Sequence, residues 1–285
     1  MLKFLVIIVS SGENELEECM RVVNSQRDVN YKIFHIKDLA KKEAHDQLYE
    51  KIQSESLNYD LFVKIDADMI LFSHHSLKQI QTFFLEHTDV DHATFSVFDW
   101  YSQKAIMGLH VYSNKCTWTN TNDPLFTDPL PNFPGNKKLV WDNPSPIAKH
   151  SPNPSSEQAF QFGFHRALKF LQKDRKVINI SRSLFHYDLL YQVYLQSNLC
   201  GDRRRKEALY GAELAFSSKV IKYTSRNDNF LKEEWRKLEK LSEKEVDRII
   251  DERWGLGRFN QNFWFSSEKF SCWVKYMFNN LISKF

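Results

Sequence analysis

The stretch Tyr59-Asp60-Leu61-Phe62-Val63-Lys64-Ile65-Asp66-Ala67-Asp68-Met69-Ile70 decides how this chain is read. Residues 59–65 form a nearly all-apolar run, the pattern of a parallel strand buried on both faces of an α/β sheet. Two carboxylates, Asp66 and Asp68, leave its end at i and i+2, a spacing that can point both the same way. Clustered anions are costly unless a cation shares them. A chain this rich in aspartate produces D-x-D about once by chance, and Asp89-Val90-Asp91 is such a decoy. The weight therefore comes from position, since open α/β sheets bind ligands at the carboxyl ends of their strands. The cation that suits the pair is a hard divalent ion, Mg²⁺ or Mn²⁺, bridging to a substrate diphosphate.

Upstream, residues 2–9 read as a buried first strand rather than a signal h-region, because no small-residue cleavage site precedes Glu13, Glu15, Glu17 and Glu18. Ser10 and Glu13 stand at capping-box spacing, and Leu16, Cys19, Met20 and Val23 follow helical periodicity, so strand feeds helix as in a βαβ unit. A second strand is expected over 31–36 and a second helix over 44–52. Downstream, a helix over 76–86 precedes two β-rich segments, 93–98 and 105–112, expected to pair antiparallel across a short polar turn. The prolines fall within 124–154, in a loop that also carries Phe126, Phe133, Leu139, Val140 and Trp141. Beyond it, 155–172, 183–199, 202–216 and 229–253 read as helices. Gly201 is placed as a C-cap, Asp202 as an N-cap, and Ser242 with Glu245 as a capping box.

Composition narrows the function. The 285 residues suit two domains or one large α/β domain with an appendage. Aromatic residues make up 14%, while Gly and Pro number 8 each, which excludes collagen-like and linker-like chains. A net charge of +3 is too near balance for nucleic-acid binding without a local basic stripe. Four cysteines with no C-x-x-C pair suggest neither a zinc site nor a disulfide framework, and imply a reducing, cytoplasmic compartment.

These residues resemble the nucleotide-sugar half of a GT-A glycosyltransferase, nearest to the family 2 type, over about residues 1–115. The likeness rests on the first strand and its helix ending Asn24-Ser25-Gln26, a second strand ending at Asp38, and the third strand running into Asp66-Ala67-Asp68. The resemblance implies an α/β fold with a GT-A (Rossmann-like) mixed sheet and flanking helices, followed by a helical C-terminal region. It implies a metal-dependent transfer of a sugar from a nucleotide-diphosphate donor to a hydroxyl of a surface glycan, of the lipopolysaccharide or capsule kind, with inversion. In that family the acids matching Asp66 and Asp68 lie at the ribose and on the metal, and Asp38 is the positional match for the base contact. Ser10 closes the first strand where the family carries Pro-x-aromatic-Asn, which here is Ser10-Ser11-Gly12-Glu13. The Q-x-x-R-W motif of processive synthases is absent, so single addition is expected. A third, histidine ligand often comes from the C-terminal half; His150 is favoured, with His110, His165 and His186 as alternatives.

Three segments complete the site expectations. After the Pro-rich loop, Glu157, Gln161, His165 and Lys169 form a polar stripe on a helix. A carboxylate in its first turn is placed to take the acceptor hydroxyl's proton, so Glu157 is the expected base and Asp99 the second choice. Arg203-Arg204-Arg205-Lys206 opens a helix against its dipole, which calls for an anion such as a donor or lipid diphosphate, with Arg203 and Arg204 in contact. Residues 266–285 carry an amphipathic pattern with Trp273, Phe270, Phe278 and lysines, suited to the inner face of a membrane or to docking on protein. Domain boundaries are expected at 1–115, 116–182 and 183–285. The rival readings are a non-catalytic glycan- or partner-binding module, a nucleotidyltransferase, and a phosphatase; Ile70 and the position of Asp66 after the third strand argue against the last.

Overall fold

The structure is a computed structural model of the 285-residue chain that describes residues 2–119, 123, 125–126, 128–141, 145–172, 178–217 and 229–255. It divides into two compact units, 1–154 and 155–285. The Pro-rich segment belongs to the first unit and the helix after it opens the second.

The first unit is built on one mixed sheet. β1 (Lys3–Ser10) pairs in parallel with β2 (Asn30–Lys37) on one side and β3 (Leu61–Asp66) on the other. On its other side β3 neighbours β6 (Lys104–Ser113), which pairs antiparallel with it and with β5 (Val90–Asp99), the latter as the short polar turn predicts. The far edge of β5 is shared by β9 (Asn136–Val140) and β10 (Ala148–His150), both parallel to it. β4 (Met69–Leu71) closes the sheet antiparallel to β10, so the order is β2-β1-β3-β6-β5-β10-β4. β7 (Thr117–Trp118) and β8 (Pro131–Asn132) form a separate two-stranded ribbon.

Alternation sorts the side chains. Leu5, Ile7, Phe62 and Tyr112 face α2 (Lys41–Ser54), burying Leu48, Tyr49 and Ile52 with Trp118 in one cluster. On the opposite face Phe95 meets Phe83 of α3 (Ser76–Glu86), ring centroids 5.3 Å apart. α1 (Leu16–Asn24) packs with Cys19, Val22 and Val23 buried. Its expected capping box does not form. Ser10 stays in β1, its Oγ 2.7 Å from His35 Nε2, while Glu13 accepts from the Ser11 amide and hydroxyl.

The second unit is helical: α4 (Ser156–Leu171), α5 (Ile180–Cys200), α6 (Arg203–Ser217), α7 (Asn229–Glu239) and α8 (Glu243–Ile250). Capping boxes open α4 at Ser155/Gln158 and α8 at Ser242/Glu245, and Gly201 ends α5 with φ +64°. Asp202 Oδ1 accepts from the Arg204 and Arg205 amides, 2.8 and 3.2 Å. Among the described residues no helix is long and apolar enough to cross a membrane.

Candidate functional site

The carboxyl ends of β1, β2 and β3 bring Ser10, Asp38 and Asp66 to one edge of the first unit. Val9 is the register partner of Asp66, and the Asp38 amide donates to the Ser10 carbonyl at 3.0 Å. Asp38 holds a left-handed backbone, φ +56°, a conformation aspartate tolerates better than most residues, and its carboxylate is exposed beside Lys37 at 3.9 Å.

Asp68 belongs to a second, tighter constellation. The Ser151 amide donates to its carbonyl at 2.7 Å and the Ser151 hydroxyl to its Oδ2 at 2.9 Å. Both contacts depend on Ser151 turning back with φ +46°. His150 Nε2 lies 3.4 Å from the same Oδ2, and His150 Nδ1 lies 2.7 Å from Asp99 Oδ1. Asp99 is fully buried, and its other oxygen accepts from the Ser102 amide and hydroxyl. Burial alone would lower the His150 pKa; the Asp68 and Asp99 carboxylates overcome it and push it up to about 10. Burial would likewise raise Asp99, yet the imidazole and Ser102 donors hold it below the usual carboxylate range. The cluster thus rests as an imidazolium clamped between two acids.

Register explains the assembly. His150 stands opposite Asp99 on β5 and opposite Met69, next to Asp68, on β4. A carboxylate oxygen and an imidazole nitrogen side by side are donors that suit a hard or borderline divalent cation. Among the described residues no three His, Cys, Asp or Glu side chains are spaced to hold a metal by themselves. Such a cation would draw its remaining ligands from water and substrate phosphate, the usual arrangement for Mg²⁺ sites. A cleft of about 430 Å³, lined in part by Arg21, Ile70, Phe72, His74 and Lys149, opens on the opposite face of the β4/β10 pair and contains none of these acids.

Lys64 is the feature the apolar reading of β3 passed over. It is buried on the same face as Asp66, with Nζ 2.7 Å from Asp128 Oδ1. His45 and the Tyr49 hydroxyl meet the same oxygen at 3.3 and 2.7 Å. Burial would lower the Lys64 pKa, and the Asp128 and Asp66 charges more than reverse that. Nearby, His110 stacks on His92 with centroids 5.4 Å apart; burial, then neighbouring positive charge, pushes them down to about 4 and about 3. His110 is therefore part of this packed face. The decoy Asp91 is structural, accepting from Ser113 Oγ and the Gly135 amide.

In the second unit Glu157 stands in the first turn of α4 and accepts from Gln161 Nε2 at 3.0 Å. His165 lies on α4 and His186 is buried in α5. The basic run at the start of α6 finds its anions within the chain. Arg203 and Arg204 both bind the buried Glu207 carboxylate at 3.0 Å, and Lys206 pairs with Asp247. Internal counterions thus answer the unfavourable dipole there. The amphipathic segment 266–285 lies outside the described residues.

Ser102, Ser151 and the Lys64/Asp128 pair were not singled out from sequence. Only Lys64 left a signal, a lone charge inside an apolar strand.

No family model matches the chain, and no curated protein matches it. Several solved structures superpose in part. A protein from STIV aligns at 15% identity over 39% of this chain and 65% of its own, TM-score 0.29. Residues 1–349 of TarS from S. aureus in complex with UDP-GlcNAc align at 11% identity over 75% and 81%, TM-score 0.35. A glycosyltransferase involved in glycosylation of the major capsid of PBCV-1 aligns at 12% over 54% and 97%, TM-score 0.33. The chain spans 50% of the longer TarS structure it matches. At such scores and identities the functional reading rests on this chain's own residues.

Proposed function

We propose that the protein is a glycosyltransferase that moves a sugar from a nucleotide-diphosphate donor to a hydroxyl of a glycan acceptor, with Asp68 and His150 holding a divalent cation, Mn²⁺ or Mg²⁺. The observation that carries this reading is the convergence of Asp68 Oδ2, in the turn between β3 and β4, and His150 Nε2, on β10, 3.4 Å apart.

Each residue has a defined task. Asp66, which ends β3 beside Val9, would take the donor's ribose, and Ser10 with the exposed Asp38 would flank the base. Asp68 and His150 would hold a divalent cation at the diphosphate end. When bound there, the cation would neutralise charge on the departing diphosphate. Glu157 takes the proton of the acceptor hydroxyl as the new bond forms, the role an inverting transfer asks of a base. Residues 266–285 would bring a membrane surface to a lipid-linked acceptor.

The test is a thermal-shift panel of UDP-, GDP-, CMP- and TDP-sugars, with and without Mn²⁺, on the wild type and Asp68→Asn. A metal-dependent shift with one nucleotide class, lost in Asp68→Asn, is expected. Glycan binding that persists in Asp68→Asn, with no nucleotide-sugar shift in the wild type, would favour a non-catalytic binding module instead. Glu157→Gln should bind donor normally and lose turnover; full turnover removes it as the base.

A further inference from the structure

We infer that Asp99 is a positioning residue that presents His150 Nε2 to the cation, making the site selective for ions that accept nitrogen over ions that prefer oxygen alone. The inference rests on the reading of Asp68 and His150 given above.

The geometry forms one chain of hydrogen bonds. Ser102 donates twice, from amide and hydroxyl, to Asp99 Oδ2. Asp99 Oδ1 takes His150 Nδ1 at 2.7 Å, and His150 Nε2 faces Asp68 Oδ2 at 3.4 Å. Side-chain exposure rises along that chain from 0% at Asp99 through 10% at His150 to 22% at Asp68. An ionised carboxylate only accepts, so the Nδ1 proton stays directed at Asp99, and a cation binding at Nε2 would displace the other imidazolium proton to solvent.

Two alternatives fit less well. A structural salt bridge would not need a buried acid held by two Ser102 donors on the far side; desolvating a carboxylate costs several kcal/mol, and an apolar residue would fill the position without it. An acid–base dyad acting on a sugar hydroxyl would aim Nε2 at open space, whereas here it is aimed at Asp68. What fits between an imidazole nitrogen and a carboxylate is a proton or a cation. Carboxylates that orient a metal-binding histidine from behind govern metal affinity, and their loss weakens it about 10- to 100-fold.

The experiment titrates the full chain with Mn²⁺ in the presence of UDP, following free Mn²⁺ by electron paramagnetic resonance and bound Mn²⁺ by its nitrogen modulation. The proteins are wild type, Asp68→Asn, His150→Ala, Asp99→Asn and Asp99→Asn/His150→Ala. Asp99→Asn should weaken Mn²⁺ about 10- to 100-fold, reduce the nitrogen modulation, and shift Mg²⁺ affinity less. In the His150→Ala background the same substitution should change nothing. Wild-type affinity and full nitrogen modulation in Asp99→Asn, or equal weakening with and without His150, overturns the inference. Failure of the underlying reading looks different: no Mn²⁺ binding by the wild type, or unchanged binding by Asp68→Asn. If Asp99→Asn does not fold, Ser102→Ala strips one donor from Asp99 and keeps its charge. A several-fold loss confined to the background that retains His150 is then expected, and unchanged affinity overturns the inference.

Discussion

Replacing Gly163 by alanine should unfold the helical unit more readily, although alanine is the better helix former. A Cβ built on Gly163 lies 1.6 Å from the Ala208 carbonyl oxygen, and one built on Gly211 lies 2.0 Å from the Phe160 carbonyl oxygen. α4 and α6 therefore cross backbone to backbone, and no rotamer change can make room. Reaching an ordinary contact of 3.4 Å requires a local separation of about 1.8 Å, the difference between 3.4 and 1.6. A gap of only 0.5–1 Å already forfeits a quarter to a half of a dispersion contact. The seam that would open buries Ala159, Phe160, Phe164 and Ala167 on one helix and Ala208, Leu209, Ala212 and Ala215 on the other. Overpacking costs of about 3 kcal/mol or more outweigh the propensity gain of about 1 kcal/mol. The net loss of about 2 kcal/mol should lower the midpoint by roughly 5–10 °C in a scan followed by far-ultraviolet circular dichroism. Gly211→Ala should behave alike, and the double variant should lose less than the two single losses combined, because the second methyl enters a seam already opened. A Gly163→Ala protein that melts at or above the wild-type temperature would show that the helices do not approach this closely.

The stacked histidines predict an acid limb in stability. Their folded pKa values, about 3 for His92 and about 4 for His110, lie below the ordinary 6.5, so the unfolded chain binds more protons. Their contribution is present above pH 6.5 and is lost as pH falls through that value toward 4, by at most about 1.4 kcal/mol per pH unit for each. His92→Phe/His110→Phe should flatten urea-melt stability between pH 6.5 and 4; a slope equal to wild type refutes the assignment. At the Lys64/Asp128 pair the two substitutions should differ. Asp128→Asn leaves a buried ammonium with Asp66 as its remaining acid among the described residues and should cost about 2 kcal/mol, less than a fully buried pair because Asp128 is half exposed. Lys64→Met removes the buried charge itself and should cost less, and equal losses in urea melts would contradict this.

Much of the fold was legible because it repeats. Residues 59–65 read as a buried strand from their apolar run, the 93–98 and 105–112 pair from its short polar turn, and α8 from Ser242 and Glu245, whose capping box is local chemistry. The same local rule failed at Ser10 and Glu13. Ser10 had a competing use, as the last residue of β1 with its hydroxyl on His35, and register in the sheet outweighed a cap at the helix start. At Arg203 and Arg204 the unfavourable end charge was read correctly, but its answer, Glu207, lies one turn along the same helix and is buried. An i+4 acid satisfies such a run without an external anion.

The site shows where reading by pattern stops. Asp66 and Asp68 were visible together because only Ala67 separates them, yet the structure gives them different surroundings: Asp66 shares a sheet face with Lys64, and Asp68 is tied to Ser151 and His150. Asp99 and His150 are 51 residues apart and meet because β10, three residues long, is parallel to β5 and antiparallel to β4. A three-residue strand has no period to detect, and the proline-rich stretch before it has the composition of a loop. What fixes its place is pairing on both sides, a long-range cost and gain absent from any window of sequence. The identity of His150 could be favoured from its loop position beside Glu157, but its orientation could not, since Nδ1 is committed by Asp99 and Nε2 by Asp68. The place of His150 therefore depends on a ribbon whose residues are individually ordinary, and shifting β10 by one residue would turn His150 to the opposite face while leaving every motif in the sequence intact.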